Sequence, residues 1–262
     1  MTDLTVLISG ASRGLGAASA RIAGQMHAQV ALMARSEADL AMVADQVRAE
    51  GGEPLTLLGD VTDGEDCRRA IDRVAQTFGR LDALVNNAGV LAPIASLSDS
   101  EPETWKQNIA VNLYGPFLLT QAALGLLRES EGRIVNVSSG AAVEAVAGWS
   151  AYCAAKAAIN HLTRVLAVEE PGVTTIAFRP GVVDTSMQAQ IRAEGAAGMA
   201  EESLAYYVRS YEDGELLPPE VPACALMALA FHAPSEWSGA FLAWNHPDVQ
   251  ALVRTYACPP GA

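Results

Sequence analysis

Cysteine, aromatic residues and cations are all sparse in this chain. The four cysteines, Cys67, Cys153, Cys224 and Cys258, show no Cys-x-x-Cys spacing, which argues against a structural zinc site or a disulfide framework. No metal is expected. Cys153, beside Tyr152, reads as a small packing residue rather than a redox centre. Lysine and arginine number 17 against 30 acidic residues, a formal net charge of −13. Such a field repels phosphate backbones, so nucleic acid is not an expected partner. No apolar run reads as a membrane span. The first residues, Met1-Thr2-Asp3-Leu4, show neither a basic segment nor a long apolar one, so a cytoplasmic protein is expected. No composition shift or Pro/Ser-rich linker divides the 262 residues, which predicts one domain over 1–262.

What is present is a regular alternation. Continuous apolar, β-rich runs predict strands at Leu4–Ser9, Val30–Ala34, Leu55–Leu58, Ala83–Asn86, Arg133–Ser139, Val173–Phe178 and Ala240–Trp244. Helical patterns fall between them over Gly14–Met26, Glu37–Glu50, Asp63–Phe78 and Glu103–Arg128, the last bent at Gly115-Pro116. A helix carrying Tyr152 stops before Pro171. Strands alternating with helices, without polar alternation inside the strands, predict an α/β protein with a Rossmann-type, doubly wound parallel sheet. The alternation breaks over Asp184–Pro219, which is expected to be an irregular substrate lid.

Two motifs carry chemistry. Ser9-Gly10-Ala11-Ser12-Arg13-Gly14-Leu15-Gly16 lies between the first strand and the first helix. Glycines there permit a tight turn and let backbone approach a phosphate at the helix N-terminus. The second is Tyr152-Cys153-Ala154-Ala155-Lys156, which follows Ser139 by 13 residues. Tyr152 and Lys156 are i and i+4 on one helix face. A lysine cation there is expected to lower the phenol's pKa and make it a usable acid and base. Side chains alternate along a strand, so Ser138 and Ser139 face opposite ways.

Taken together these segments resemble the classical short-chain dehydrogenase/reductase family, from Leu4 to about Trp244. The glycine turn matches the family's Thr-Gly-x-x-x-Gly-x-Gly, with Ser9 in place of Thr. Asn86-Asn87-Ala88-Gly89 matches its Asn-Asn-Ala-Gly segment, and Arg179-Pro180-Gly181-Val182-Val183-Asp184-Thr185 its nicotinamide-cradling Pro-Gly segment. Asn112, Ser139, Tyr152 and Lys156 match its catalytic tetrad. The resemblance implies that Ser139 holds a substrate carbonyl, Tyr152 protonates its oxygen, Lys156 holds ribose hydroxyls and Asn112 positions a relay water. It also implies cofactor contacts at Gly10, Ser12, Arg13, Gly14, Leu15, Gly16, Arg35, Ser36, Asp60, Val61, Asn87, Ala88, Gly89, Tyr152, Lys156, Pro180, Gly181, Val183 and Thr185. Asp60 could instead cap the following helix. Family members commonly pair through the two long helices, which implies a homodimer or homotetramer.

Cofactor choice is read at the end of the second strand, where a carboxylate suits NAD and arginine suits the 2′-phosphate of NADP. The segment is Met33-Ala34-Arg35-Ser36, with Arg13 in the glycine turn, so NADP(H) is expected. Gly148 to Ala158, Leu166 to Pro171 and Val183 to Gln188 resemble the sepiapterin reductase and benzil reductase group of that family. His246 falls where a pterin-anchoring aspartate is expected, with Asp248 two residues on. Trp149, Met187, Met199 and Trp244 would suit an apolar or aromatic ketone. The expected function is NADPH-dependent reduction of a ketone or 1,2-diketone. The alternatives are a sepiapterin reductase and an idle NADPH-binding sensor or scaffold.

Overall fold

Seven apolar runs become strands of one sheet in the computed structural model, which describes residues 4–257. The strands are β1 (Thr5–Ser9), β2 (Gln29–Ala34), β3 (Glu53–Leu58), β4 (Ala83–Asn86), β5 (Arg133–Val137), β6 (Thr174–Arg179) and β7 (Phe241–Ala243). Their order is β3-β2-β1-β4-β5-β6-β7, and every neighbouring pair is parallel. The apolar runs lack polar alternation because both faces are covered. In β1, Val6 and Ile8 face one layer and Leu7 the other. The first layer holds α1 (Gly14–Gln25), α2 (Glu37–Ala49) and α9 (Glu220–His232), and the second holds α3 (Gly64–Phe78) and α5 (Gly115–Glu129). The chain also forms α4 (Pro102–Ile109), α6 (Ser150–Glu169), α7 (Ser186–Glu194), α8 (Glu201–Glu212) and α10 (Pro247–Leu252). Strand order reverses between β1 and β4, which opens a crevice at their carboxyl ends.

Four expectations are corrected. The long helix is interrupted by a π-helical turn at Ala110–Tyr114, immediately before Gly115-Pro116, rather than bent at that pair alone. The segment 184–219 is not irregular: it folds into α7, a short 3₁₀ turn and α8. Its alanine and glycine content hid two short amphipathic helices. Asp63, not Asp60, caps α3, accepting from Glu65 N at 2.7 Å and Asp66 N at 3.3 Å. Finally, the helical stretch Pro102–Glu129 is long and apolar enough to cross a membrane by length and composition, which the short apolar runs did not reveal. Its apolar side packs against α3, β4, β5 and α6, as a core helix does.

Candidate active site

The glycine turn is built by a side chain the motif shares with its neighbours. The Ser9 hydroxyl accepts from Asn87 N at 3.0 Å and Ala88 N at 3.2 Å and donates to Val85 O at 3.3 Å. It ties the end of β1 to the turn after β4, so serine performs the hydroxyl's work in place of threonine. Asn87 Nδ2 closes the same junction through Ser9 O at 2.9 Å and Gly10 O at 3.2 Å. Gly10 has φ +66°, and a Cβ there would lie 2.8 Å from Ala88 Cα. On the other side of the turn, a Cβ on Gly14 would meet Thr185 Cγ2 at 3.2 Å, so the Pro-Gly segment closes over the glycines.

These residues fit a dinucleotide. Ser36 caps α2 and Asp63 caps α3, but α1 has no side-chain cap and no acidic residue in its first turn. Its leading N–H groups are left for an anion. Arg13 is exposed at that N-terminus. Arg35 is exposed at the end of β2, with Asp60 3.6 Å away as its one ionic partner among the described residues. A shallow cavity of about 330 Å³ opens beside the turn, lined in part by Arg13, Gly14, Arg21, Asp184 and Thr185. None of the tetrad side chains lines it.

The tetrad side chains come from three elements. Asn112 lies in the π-helical turn and is buried. Its Nδ2 donates to Val90 O at 2.7 Å and Asn108 Oδ1 at 2.9 Å, while its Oδ1 accepts from Val90 N at 3.3 Å. A Cβ on Gly89 would sit 3.0 Å from Asn112 Oδ1 and 3.9 Å from Lys156 Nζ, so these three positions converge. Lys156 Nζ donates to Val137 O at 2.8 Å and lies 5.4 Å from the centre of the Tyr152 ring. Ser139 follows β5, half-exposed, and its hydroxyl accepts from Ala141 N at 3.2 Å. Ser138 is turned away and buried, donating to Asn160 Oδ1 at 2.6 Å.

Burial, not the lysine, governs the titration of this cluster. It pushes Tyr152 up to about 12, with the Ser139 hydroxyl pulling it part of the way back. It pushes Lys156 down to about 8. The expected lowering of the phenol by Lys156 is therefore not seen: desolvation dominates, and the one group that lowers it is the Ser139 hydroxyl. Tyr152 stays a protonated donor throughout the physiological range.

Around Tyr152 lies a small apolar cluster of Leu91, Ile94, Ala141, Trp149 and Ile191, with Met187, Met199 and Tyr207 packed on it. Trp149 stands edge-on to Tyr152, ring centres 5.9 Å apart. Trp149, Met187 and Met199, expected at the substrate, thus all belong to or pack on the Tyr152 cluster. Trp244 does not: it packs against the α1/α9 layer and beneath Gly181, whose Cβ would lie 2.7 Å from its Nε1. Its position at the end of β7 made it look pocket-facing, but it supports the Pro-Gly turn. His246 caps α10 with Asp248 N 3.4 Å from its Nδ1, and the Asp248 side chain is exposed.

Two residues of this neighbourhood escaped sequence reasoning. Asn108 is buried one turn before Asn112, its Nδ2 donating toward Leu91 O at 3.0 Å and Ala92 O at 2.8 Å. The i,i+4 spacing of the two asparagines on a predicted helix was the available signal. Tyr207 on α8 stacks at a tilt on Trp149, centres 5.5 Å apart. Its signal was the i,i+3 spacing of Leu204 and Tyr207, which puts them on one side of a helix.

The fold, the glycine turn and the converging tetrad define a nicotinamide-dependent oxidoreductase of the Rossmann type. The short chain dehydrogenase family model matches residues 4–196, and the chain belongs to that family. It is similar to a benzil reductase ((S)-benzoin forming) of Saccharomyces cerevisiae, 36% identical over 92% of this chain and 95% of the relative. A benzil reductase ((S)-benzoin forming) of Bacillus cereus is 33% identical over 86% of this chain and 92% of that one. The crystal structure of a short-chain dehydrogenase/reductase from Saccharomyces cerevisiae superposes with a TM-score of 0.89 at 32% identity, covering 95% of this chain and 99% of that one.

Proposed function

We propose that this chain is an NADPH-dependent carbonyl reductase acting on ketones and 1,2-diketones, in the manner of a benzil reductase. The observation that carries the reading is the convergence of Asn112, Lys156 and Tyr152 at the crevice, beside an apolar aromatic cluster. A reduced nicotinamide held by the glycine turn and the Pro-Gly segment would supply the hydride for the carbonyl carbon. Ser139 holds the carbonyl oxygen. Tyr152, kept protonated by its burial, donates its proton to that oxygen. Lys156 holds the ribose hydroxyls and stabilises the phenolate left behind, and Asn112 orients the water that restores the proton. Arg13 and Arg35 give the uncapped end of α1 and the end of β2 two forks for a 2′-phosphate. A pterin substrate is disfavoured, because Asp248 is exposed and faces His246, 3.8 Å away, rather than being buried as a pterin anchor would be. We also propose a homodimer or homotetramer assembled through α4–α5 and α6.

Steady-state kinetics with benzil and sepiapterin, each with NADPH and NADH, test the reading. Benzil is expected to give the higher kcat/KM, and NADPH to exceed NADH by at least about tenfold, the value of one charge-assisted hydrogen bond. Arg35→Ala should weaken NADPH far more than NADH. Equal efficiency with the two cofactors would remove the NADPH assignment, and a clear preference for sepiapterin the substrate class.

A further inference from the structure

The Tyr152 cluster contains hydrogen-bond donors that no described residue uses. Trp149 is 4% exposed, and its Nε1 has no partner among the described residues. The Tyr207 hydroxyl makes no hydrogen bond to any described residue. Buried polar groups are ordinarily paired, so the idle indole N–H asks for an acceptor from outside, and the half-buried Tyr207 beside it keeps a hydroxyl available for one. Tyr207 reaches the cluster because α8 folds back over it: Leu204, one turn earlier, packs against Gly195, and the Tyr207 ring then lands on Trp149. The Tyr207 phenol lies near enough to Tyr152 to disfavour the Tyr152 charge, and burial keeps Tyr207 itself neutral, pushed up to about 12.

A vicinal diketone presents two acceptor oxygens on adjacent carbons. Ser139 and Tyr152 account for the reacting one. The other enters the same water-poor cluster, where an unpaired carbonyl costs more than a paired one. We propose that Tyr207 is a substrate-positioning residue of this site: its hydroxyl donates to the second carbonyl oxygen, and its ring with Trp149 forms the wall against which the aryl group rests. The inference rests on the reductase reading above and gives it a reason to prefer 1,2-diketones over simple ketones.

The test compares benzil with deoxybenzoin, which keeps both rings and lacks the second oxygen. Tyr207→Phe is expected to lower kcat/KM for benzil about tenfold and to leave deoxybenzoin within about twofold, since one hydrogen bond is lost and the ring retained. Tyr207→Ala should lower both, because the wall is lost as well. NADPH affinity, measured by fluorescence titration, should be unchanged in the two variants. An equal loss on both substrates in Tyr207→Phe, or no loss on benzil, overturns the proposal. So does a benzil-selective loss in Trp149→Phe with Tyr207→Phe unaffected, which would assign the second oxygen to the indole N–H. If the wild-type enzyme with NADPH reduces neither compound, the reductase reading itself fails. If it reduces both and only the Phe comparison disagrees, the Tyr207 assignment alone falls.

Discussion

Lys156 is held where its charge is costly. The side chain is buried, its ammonium has one carbonyl partner at 2.8 Å, and its pKa falls from 10.5 to about 8. The unfolded chain keeps that proton up to about 10.5 while the folded one releases it above about 8, so the unfolded state binds more protons between these limits. Stability contributed by this group therefore rises from pH 8 to 10.5 and is flat on either side. Urea unfolding should show wild type gaining on Lys156→Met across that window. A constant difference between the two proteins would mean the lysine is not desolvated as described. Tyr152→Phe removes the donor and keeps the ring. Reduction should fall by about 10²-fold or more while NADPH binding persists. In wild type, Tyr152 does not ionise until about 12, so the alkaline limb of kcat/KM for reduction should report Lys156 near 8. The identity of these residues was legible in the Tyr-x-x-x-Lys spacing. The direction of the tyrosine's shift was not, because desolvation depends on what other segments bring over the ring.

At the scale of elements, the π-helical turn decides where Asn112 stands. One residue more per turn lets Asn108 and Asn112 both face the loop after β4, and together they hold the carbonyls of Val90, Leu91 and Ala92. Asn108→Ala should leave the carbonyls of Leu91 and Ala92 without their side-chain donor, while Val90 O keeps Asn112, costing about 2 kcal/mol of stability. It should also lower kcat more than it raises KM, since Asn112 loses its side-chain partner. Chemical denaturation together with kinetics checks both. The strands and first helices were readable because each has a period or a turn signal. The helix α9 was not: apolar residues surround it, so no face stands out, and only its burial between α1 and α10 explains the composition. The helices of 184–219 were missed for the opposite reason, a run of small residues between short amphipathic stretches. Both ends of that excursion are fastened at one place, where Leu217 N donates to Val182 O and Asp184 N to Leu217 O, each at 2.9 Å.

For the whole molecule, the proposed pairing through the long helices has a surface to match. Tyr114 and Phe117 stack on each other, ring centres 5.8 Å apart, yet remain half-exposed, and Val168 on α6 is 81% exposed. Phe117→Glu combined with Val168→Glu should halve or quarter the mass seen by light scattering, with the far-UV spectrum intact. An unchanged mass would place the interface elsewhere. The doubly wound parallel sheet followed from the alternation of strands and helices; its strand order came only with the structure. The pairing of chains did not, since an apolar residue on a helix looks the same whether its neighbour is its own core or another copy.

The outer border of the sheet has one further consequence. Glu53 N and Gly59 N both donate inward, to Ala28 O and Ala34 O. With a period of two, the missing N–H of Pro54 therefore falls on the open side of β3. At the opposite border, β7 is only three residues long. Neither rim offers a full ladder to a passing strand, so stray polymerisation by adding strands to the sheet is blocked at both ends by covalent structure rather than by charge.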